Sequence, residues 1–271
     1  MGKPQMPADV ERLTKPTVIK AADAPRFLWG DPEAGFVSDW IYGSSLKIHM
    51  MSFSMAVGQK FVNSPDFKTY YCQKGEFTFH CPETGEVQVI KAGEFLYIPP
   101  RTWHFGYNFG REECRIVEII TPPVRERIED FSARHELGSV KPILDGAVGG
   151  FAGSAAGLAT RTKVVRPEDY LYELHGREKP IRVGLVCSTD LLTTGVVELY
   201  PGQASEPLAH PGDKVVFVLE GMLNVRVWPT EEWWELHAGD TCFVPEGCSH
   251  SFQNCMDQRV KLMFGVAPRY R

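Results

Sequence analysis

Side chains capable of chemistry are concentrated in the stretch LAHPGDKVVFVLEGMLNV, residues 208–225. His210 precedes a Pro-Gly-Asp turn, and Lys214 begins the apolar strand that follows. A neutral imidazole is a common metal ligand and a general base near neutral pH. An ammonium group repels a cation but attracts an anion, and a lysine with a lowered pKa serves as a base or a Schiff-base amine. The stretch therefore resembles part of a metal site in which a lysine occupies the position of a carboxylate ligand.

The elements that position these side chains belong to a unit that occurs twice. Residues 17–30 align with residues 163–176, and residues 67–108 align without a gap with residues 213–254, both at an offset of 146 residues. Identical pairs at this offset include Lys68/Lys214, Gly75/Gly221, Glu86/Glu232, Gly93/Gly239, Pro99/Pro245, His104/His250 and Asn108/Asn254. The sequence therefore predicts two tandem copies of one structural unit.

Within each unit, short apolar segments alternate with turn residues. Segments such as VVFVLEG and EFLYIPP are rich in β-branched and aromatic residues and are bounded by Gly or Pro, which is typical of hairpins. One helix is predicted, with Thr121 as its N-cap and Val124, Ile128 and Phe131 on one face. The small-residue segment 145–160 indicates a mobile connector, with a lid over one pocket as the alternative. The fold class predicted is all-β with minor helix.

Composition and charge narrow the classes of function. The chain has 271 residues and a formal net charge of −5, which provides no electrostatic reason to expect nucleic acid as a partner. No apolar run is long enough to cross a bilayer, and the first residues lack a signal-peptide core. Seven cysteines without a CxxC pair favour reduced thiols. We therefore expect a cytoplasmic protein with a small-molecule substrate, without nucleic acid or membrane partners, and with a homo-oligomer as an option.

Both units resemble the cupin family in their motif spacing. From Gly202 the chain reads Gly-x5-Leu-x-His-x3-Lys-x6-Gly, the spacing of the first cupin motif. The second motif, Gly-x5-Pro-x4-His-x3-Asn, begins at Gly93 and again at Gly239. The resemblance implies two tandem double-stranded β-helix, or jelly-roll, barrels in which alternate residues point into a cavity. The organisation predicted is an N-terminal cupin barrel at 1–121, a helix and connector at 122–162, and a C-terminal cupin barrel at 163–271.

The same resemblance implies a metal site, and this chain departs from its pattern. Metal-binding cupins offer three histidines and one glutamate, whereas the C-terminal unit retains His210 and His250, and the N-terminal unit retains His104. Two imidazoles can anchor Fe(II), Mn(II), Ni(II) or Zn(II) when a third ligand is added. The acids considered for that third place, none of them at a motif position, are Glu198, Glu206 and Asp213.

Three functions follow from these observations. The first is a dioxygenase-like oxidoreductase acting on a small aromatic or carboxylated substrate in the C-terminal barrel, with a divalent metal on His210 and His250. The second is a metal-free lyase, isomerase or epimerase in which His104 or His250 works with Lys68 or Lys214 as catalytic acid and base. The third is a bicupin that binds a small molecule without chemistry. For both lysines the alternative is a solvated side chain at the barrel end.

Overall fold

The computed structural model describes residues 12–31, 35–63, 67–81, 84–100, 102, 104–121, 161–228 and 230–271. These residues form β-strands and one short 3-10 helix, Pro167–Asp169. The strands are β1 (Thr17–Ile19), β2 (Arg26–Asp31), β3 (Gly35–Ser44), β4 (His49–Met55), β5 (Lys60–Asn63), β6 (Phe67–Lys74), β7 (Glu76–Cys81), β8 (Glu86–Lys91), β9 (Phe95–Ile98), β10 (His104–Tyr107), β11 (Cys114–Thr121), β12 (Lys163–Val165), β13 (Leu171–His175), β14 (Ile181–Ser188), β15 (Thr193–Leu199), β16 (Gly212–Glu220), β17 (Met222–Val227), β18 (Glu232–His237), β19 (Thr241–Val244), β20 (His250–Gln253) and β21 (Val260–Pro268).

The strands build two barrels, one from each repeat. The N-terminal barrel joins a seven-stranded sheet, ordered β12-β9-β6-β11-β4-β3-β2, to the four-stranded sheet β5-β10-β7-β8. The C-terminal barrel joins the seven-stranded sheet β1-β19-β16-β21-β15-β14-β13 to the three-stranded sheet β18-β17-β20. The predicted all-β fold with two tandem barrels is therefore confirmed. The predicted helix after Thr121 and the connector 145–160 lie outside the described residues, and the domain boundaries stay a prediction.

The two repeats exchange their first strands. Strand β1 pairs with β19 of the C-terminal barrel, whereas its counterpart β12 pairs with β9 of the N-terminal barrel. Both pairings are antiparallel, and each adds an outer strand to a sheet made by the other repeat. Each seven-stranded sheet therefore depends on both repeats for its complete set of strands.

Strand β16 shows how the pleat directs Lys214 into the barrel. Nearly every residue of this strand is buried, because one face lines the barrel and the other faces the second barrel. Val216 and Val218 belong to the core inside the C-terminal barrel, whereas Val215 and Phe217 belong to the core between the barrels. Since side chains alternate along a strand, Lys214 shares the inward face with Val216 and Val218.

The backbone conformation explains why glycine occurs at the same motif position in both repeats. Gly75 and Gly221 end β6 and β16 in the left-handed region, with φ of 73° and 79°. A Cβ at Gly221 would lie 2.6 Å from the carbonyl oxygen of Arg259, and one at Gly75 would lie 2.8 Å from that of Glu113. Both the φ angle and the close approach therefore require glycine at the two equivalent turns.

Candidate functional site

The interior of the C-terminal barrel contains a cluster of one lysine and two histidines. Lys214 Nζ lies 3.2 Å from His210 Nε2 and 3.1 Å from His250 Nε2. His210 lies just before β16, Lys214 lies on β16, and His250 begins β20. All three side chains are buried. The structure therefore brings the two predicted metal ligands together, with the lysine amine at the point where their ring nitrogens converge.

Backbone carbonyls fix the orientation of both imidazoles. His210 Nδ1 lies 2.8 Å from the carbonyl oxygen of Tyr270, and His250 Nδ1 lies 3.1 Å from that of Cys248. A carbonyl oxygen only accepts, so Nδ1–H is the donor in each ring. In a neutral imidazole, Nε2 then carries the lone pair and accepts an N–H from Lys214.

Burial governs the ionisation of the cluster. Desolvation, followed by the nearby Lys214 charge, lowers the pKa of His210 to about 3. The same two causes lower the pKa of His250 well below its ordinary value. Desolvation lowers the pKa of Lys214 to about 7. Near pH 7 both imidazoles are therefore neutral, and the lysine is balanced between amine and ammonium.

Aromatic rings surround the Lys214 amine on the sides that the two histidines do not cover. Lys214 Nζ lies 4.6 Å from the ring centroid of Phe252 and 5.3 Å from that of Phe264. The Tyr270 ring stacks on His210 with a centroid separation of 4.7 Å and an interplanar angle of 20°. The cation–π contacts stabilise the ammonium form in part, in surroundings that otherwise favour the amine.

The three acids considered as a third metal ligand are engaged elsewhere. Glu206 accepts hydrogen bonds from the backbone N–H groups of residues 177–179. Glu198 forms ion pairs with two surface arginines. Asp213 accepts a 2.7 Å hydrogen bond from the Ser45 hydroxyl and points away from Lys214 towards the other barrel. None of the three therefore completes a ligand set with the two histidines.

The donor set of this cluster does not fit a resident divalent metal. Within the part of the chain that the structure describes, no three His, Cys, Asp or Glu side chains group together in a way that could hold an ion. A cation shared by His210 and His250 would need the space that the Lys214 amine fills, and an ammonium there would repel it. The predicted divalent metal therefore stays a prediction, and the geometry itself favours a lysine-centred site.

The N-terminal barrel places the other predicted catalytic residues in different surroundings. Lys68 Nζ lies 3.3 Å from Glu118 Oε1, and both side chains are fully buried. His104 begins β10 and its Nδ1 donates to the carbonyl oxygen of Thr102 at 3.1 Å, as its counterpart does in the other barrel. The Tyr70 hydroxyl lies 2.9 Å from His104 Nε2. Lys68 and His104 therefore belong to one barrel, and Lys214 belongs to the other.

One substitution between the repeats separates the two lysines chemically. The position that holds Glu118 in the first repeat holds Phe264 in the second, at the same offset of 146 residues. Lys68 accordingly has a buried carboxylate partner, whereas Lys214 has two imidazoles and two aromatic rings. Sequence reasoning missed Glu118 and Tyr270. The signal for Glu118 was a single acid within the otherwise apolar run 116–120.

The fold and both motifs define the class of protein. The Cupin domain family matches residues 55–120 and 195–266, which together make up more than half of the chain. The chain belongs to the cupin family, and with one match in each repeat it is a two-domain cupin, or bicupin. No curated protein matches its sequence. No helix of the described residues has the length and apolarity needed to span a membrane.

Solved structures of other cupins share this architecture at low sequence identity. AerE from Microcystis aeruginosa is 11% identical, with 93% of this chain and 97% of that chain covered and a TM-score of 0.59. Bacillus subtilis oxalate decarboxylase, described with Mn(II) centers, is 13% identical, with 98% and 80% covered and a TM-score of 0.65. A cupin 2 conserved barrel domain protein from Leptotrichia buccalis is 14% identical, with 85% and 88% covered and a TM-score of 0.53. At these identities the likeness shows the fold alone.

Proposed function

We propose that the C-terminal barrel is a metal-free active site in which Lys214 transfers protons to and from a small carboxylated or carbonyl-bearing molecule. The reaction class is that of a lyase, isomerase or epimerase whose reaction begins by removing a proton from carbon. The observation that carries the proposal is the contact of Lys214 Nζ with both imidazole Nε2 atoms, at 3.2 and 3.1 Å. The dioxygenase alternative needs a metal at the position of this amine.

Counting hydrogens at Lys214 Nζ supports an acid–base role. A neutral amine has two N–H groups and one lone pair, and the two imidazole acceptors use both N–H groups. The lone pair is then left to face a substrate as a base. An ammonium in the same place donates two N–H groups to the imidazoles and keeps one proton to give to a reacting carbon or oxygen. The same side chain therefore serves as base and as acid, with His210 and His250 as positioning residues.

The N-terminal barrel is assigned a structural role in this proposal. Lys68 is neutralised by Glu118 at 3.3 Å, so its amine is held as an ion pair and does not offer a free lone pair. His104 Nε2 is bonded to the Tyr70 hydroxyl at 2.9 Å. Both groups are buried in the aromatic and aliphatic core of this barrel.

Proton exchange at carbon tests the proposal directly. In D2O, wild-type protein treated with EDTA is expected to exchange the C–H protons next to the carbonyl of at least one member of a panel of small carboxylated ketones and aldehydes, followed by 1H NMR. The Lys214→Met variant should lose the exchange by about a hundredfold or more, the usual contribution of a general base. The Lys68→Met/Glu118→Leu double variant, which removes the equivalent lysine with its partner, should keep it.

Three results would contradict the proposed chemistry. Exchange that persists in Lys214→Met would show that another group is the base. Exchange that appears only after Fe(II), Mn(II), Ni(II) or Zn(II) is added would favour the metal-dependent alternative. Binding of panel members without any exchange would support the non-catalytic bicupin.

A further inference from the structure

A cavity of about 540 Å³ lies outside the C-terminal barrel and is separated from the lysine cluster by one aromatic ring. We call it the mouth pocket, and its wall comes from β13, β14, the turn between β14 and β15, and the segment 269–271 after β21. Tyr270 lines this pocket and also stacks on His210 at 4.7 Å. His210 in turn contacts Lys214 at 3.2 Å. The layers from outside to inside are therefore the pocket, Tyr270, His210 and Lys214.

Side-chain contacts hold the Tyr270 ring in this position. Its hydroxyl lies 2.8 Å from His175 Nε2 and 3.3 Å from Glu173 Oε1, both on the edge strand β13. Arg271 adds an ion pair to Glu173 at 2.5 Å. Residues 269–271 belong to no strand, so this segment can move without breaking a β-ladder. The ring itself is buried against Phe264 and His210, and its hydroxyl contacts to β13 are the polar part of the packing that displacement has to break.

The charges of the mouth pocket indicate the chemical class of its ligand. Arg269 lines the pocket and is exposed, and among the described residues it has no ion-pair partner, whereas Arg271 is paired with Glu173. Ser188 and Thr189 belong to the same wall, with their hydroxyls hydrogen-bonded inside the β14–β15 turn, and a ligand would have to share them. A guanidinium beside hydroxyls fits a carboxylate. Asp190, also in the wall, disfavours a second negative charge on the ligand.

We propose that the mouth pocket binds small monocarboxylates through Arg269, and that the Tyr270 ring is the gate between this pocket and Lys214. The inference rests on the proposed function, because the gate matters only if Lys214 acts on the ligand. The pocket concentrates the substrate at the barrel. Displacement of segment 269–271 removes the Tyr270 ring together with the Tyr270 carbonyl that holds His210, and this opens the way to the amine. Closure of the ring then excludes water from the reacting groups.

Lysine acylation tests the gate. Wild-type protein and variants are treated briefly with acetic anhydride, a small neutral reagent, and modification of Lys214 and Lys68 is measured by peptide mass spectrometry. Tyr270→Ala should raise the rate at Lys214 by about tenfold or more, because the ring that covers the cluster is removed. Tyr270→Phe keeps the ring but loses its hydroxyl contacts to His175 and Glu173, and Glu173→Gln weakens one of these contacts. Both variants should therefore fall between wild type and Tyr270→Ala.

Lys68 is the internal reference for this experiment. It is fully buried in the other barrel and should stay unreactive in every variant. An unchanged rate at Lys214 in both Tyr270→Ala and Glu173→Gln would overturn the gate. A rise shared equally by Lys68 would overturn it as well, since general unfolding would then explain the labelling.

Arginine protection tests the ligand class separately. Pyruvate, used as the probe, should slow the modification of Arg269 by phenylglyoxal by about threefold when present at twice its dissociation constant. The neutral analogue pyruvamide should not, and exposed Arg177 should be unaffected by either. Equal rates with and without pyruvate would overturn the monocarboxylate site. A chain that passes both labelling tests but shows no carbon-proton exchange would refute the proposed function and leave the pocket and its gate standing.

Discussion

Replacing Lys68 with methionine is expected to lower the free energy of unfolding by about 3–5 kcal/mol. Lys68 and Glu118 are fully buried and paired at 3.3 Å. Without the ammonium, the Glu118 carboxylate must stay charged in apolar surroundings or take up a proton, and both alternatives cost free energy. Urea denaturation near neutral pH measures the change.

The Lys68→Met/Glu118→Leu double variant is the matched control. Replacing a buried ion pair by apolar side chains of similar volume is often neutral or stabilising, so the double variant should recover most of the lost stability. Recovery assigns the loss to the orphaned carboxylate and not to the missing lysine stem. If Lys68→Met alone is as stable as the wild-type chain, the buried ion pair between Lys68 and Glu118 is contradicted.

The pH dependence of stability is expected to reveal Lys214. Its pKa is about 7 in the folded chain, against an ordinary value of 10.5. Between these values the unfolded chain binds more protons, so the free energy of unfolding rises with pH, and the full cost of burying the lysine is present below pH 7. Relative to Lys214→Met, the wild-type chain should gain about 3 kcal/mol of stability between pH 7 and about pH 9.5.

The comparison with Lys214→Met isolates this contribution above pH 7, because His210 and His250, whose pKa values Lys214 also affects, are already neutral there in the folded chain. Urea denaturation at several pH values gives the difference in unfolding free energy between the two. A difference that does not change with pH would show that Lys214 is solvated in the folded chain, as the alternative prediction from sequence had it. A difference that falls as pH rises would show that the ammonium form is stabilised.

Most of the fold could be predicted from the internal repeat. Equal spacing of Gly75 with Gly221, and of His104 with His250, predicted two copies of one unit, the resemblance to cupins implied that each is a barrel, and the structure confirms both. Both histidines begin equivalent strands, are buried, and donate from Nδ1 to the carbonyl two residues earlier. The strands could be predicted from the spacing of apolar residues because each strand needs an apolar face towards the barrel interior. That spacing is visible within a few consecutive residues of the sequence.

The features that escaped prediction depend on contacts between distant segments. The exchange of β1 and β12 leaves no local signal, since either repeat could have kept its own first strand. The orientation of Lys214 depends on strand parity and on Phe264, which replaces the partner that Lys68 finds in Glu118. Because a lysine is rarely buried without a carboxylate, the sequence left a solvated side chain open as the alternative to an inward-facing one.

The contrast between the barrels follows from one pair of positions. In the first barrel Lys68 has a buried carboxylate partner, and our proposal assigns this barrel a structural role. In the second barrel an aromatic ring replaces the acid, and burial without a carboxylate lowers the pKa of Lys214 to about 7, close to the point where the amine is neutral. A buried lysine with a lowered pKa reduces the stability of the folded chain. Proteins retain such a lysine where its acid–base chemistry is used.

The metal content of the wild-type protein tests the central claim most directly. Protein without a histidine tag is dialysed against Fe(II), Mn(II), Ni(II) or Zn(II), freed of unbound metal and measured by elemental analysis. The expected result is no stoichiometric metal, because the Lys214 amine fills the position that a cation would share between His210 and His250. Lys214→Glu should gain metal, since it supplies a third ligand and removes the repelling charge. Near-stoichiometric metal in the wild-type chain, lost on changing His210 or His250 to alanine, would contradict the lysine-centred site.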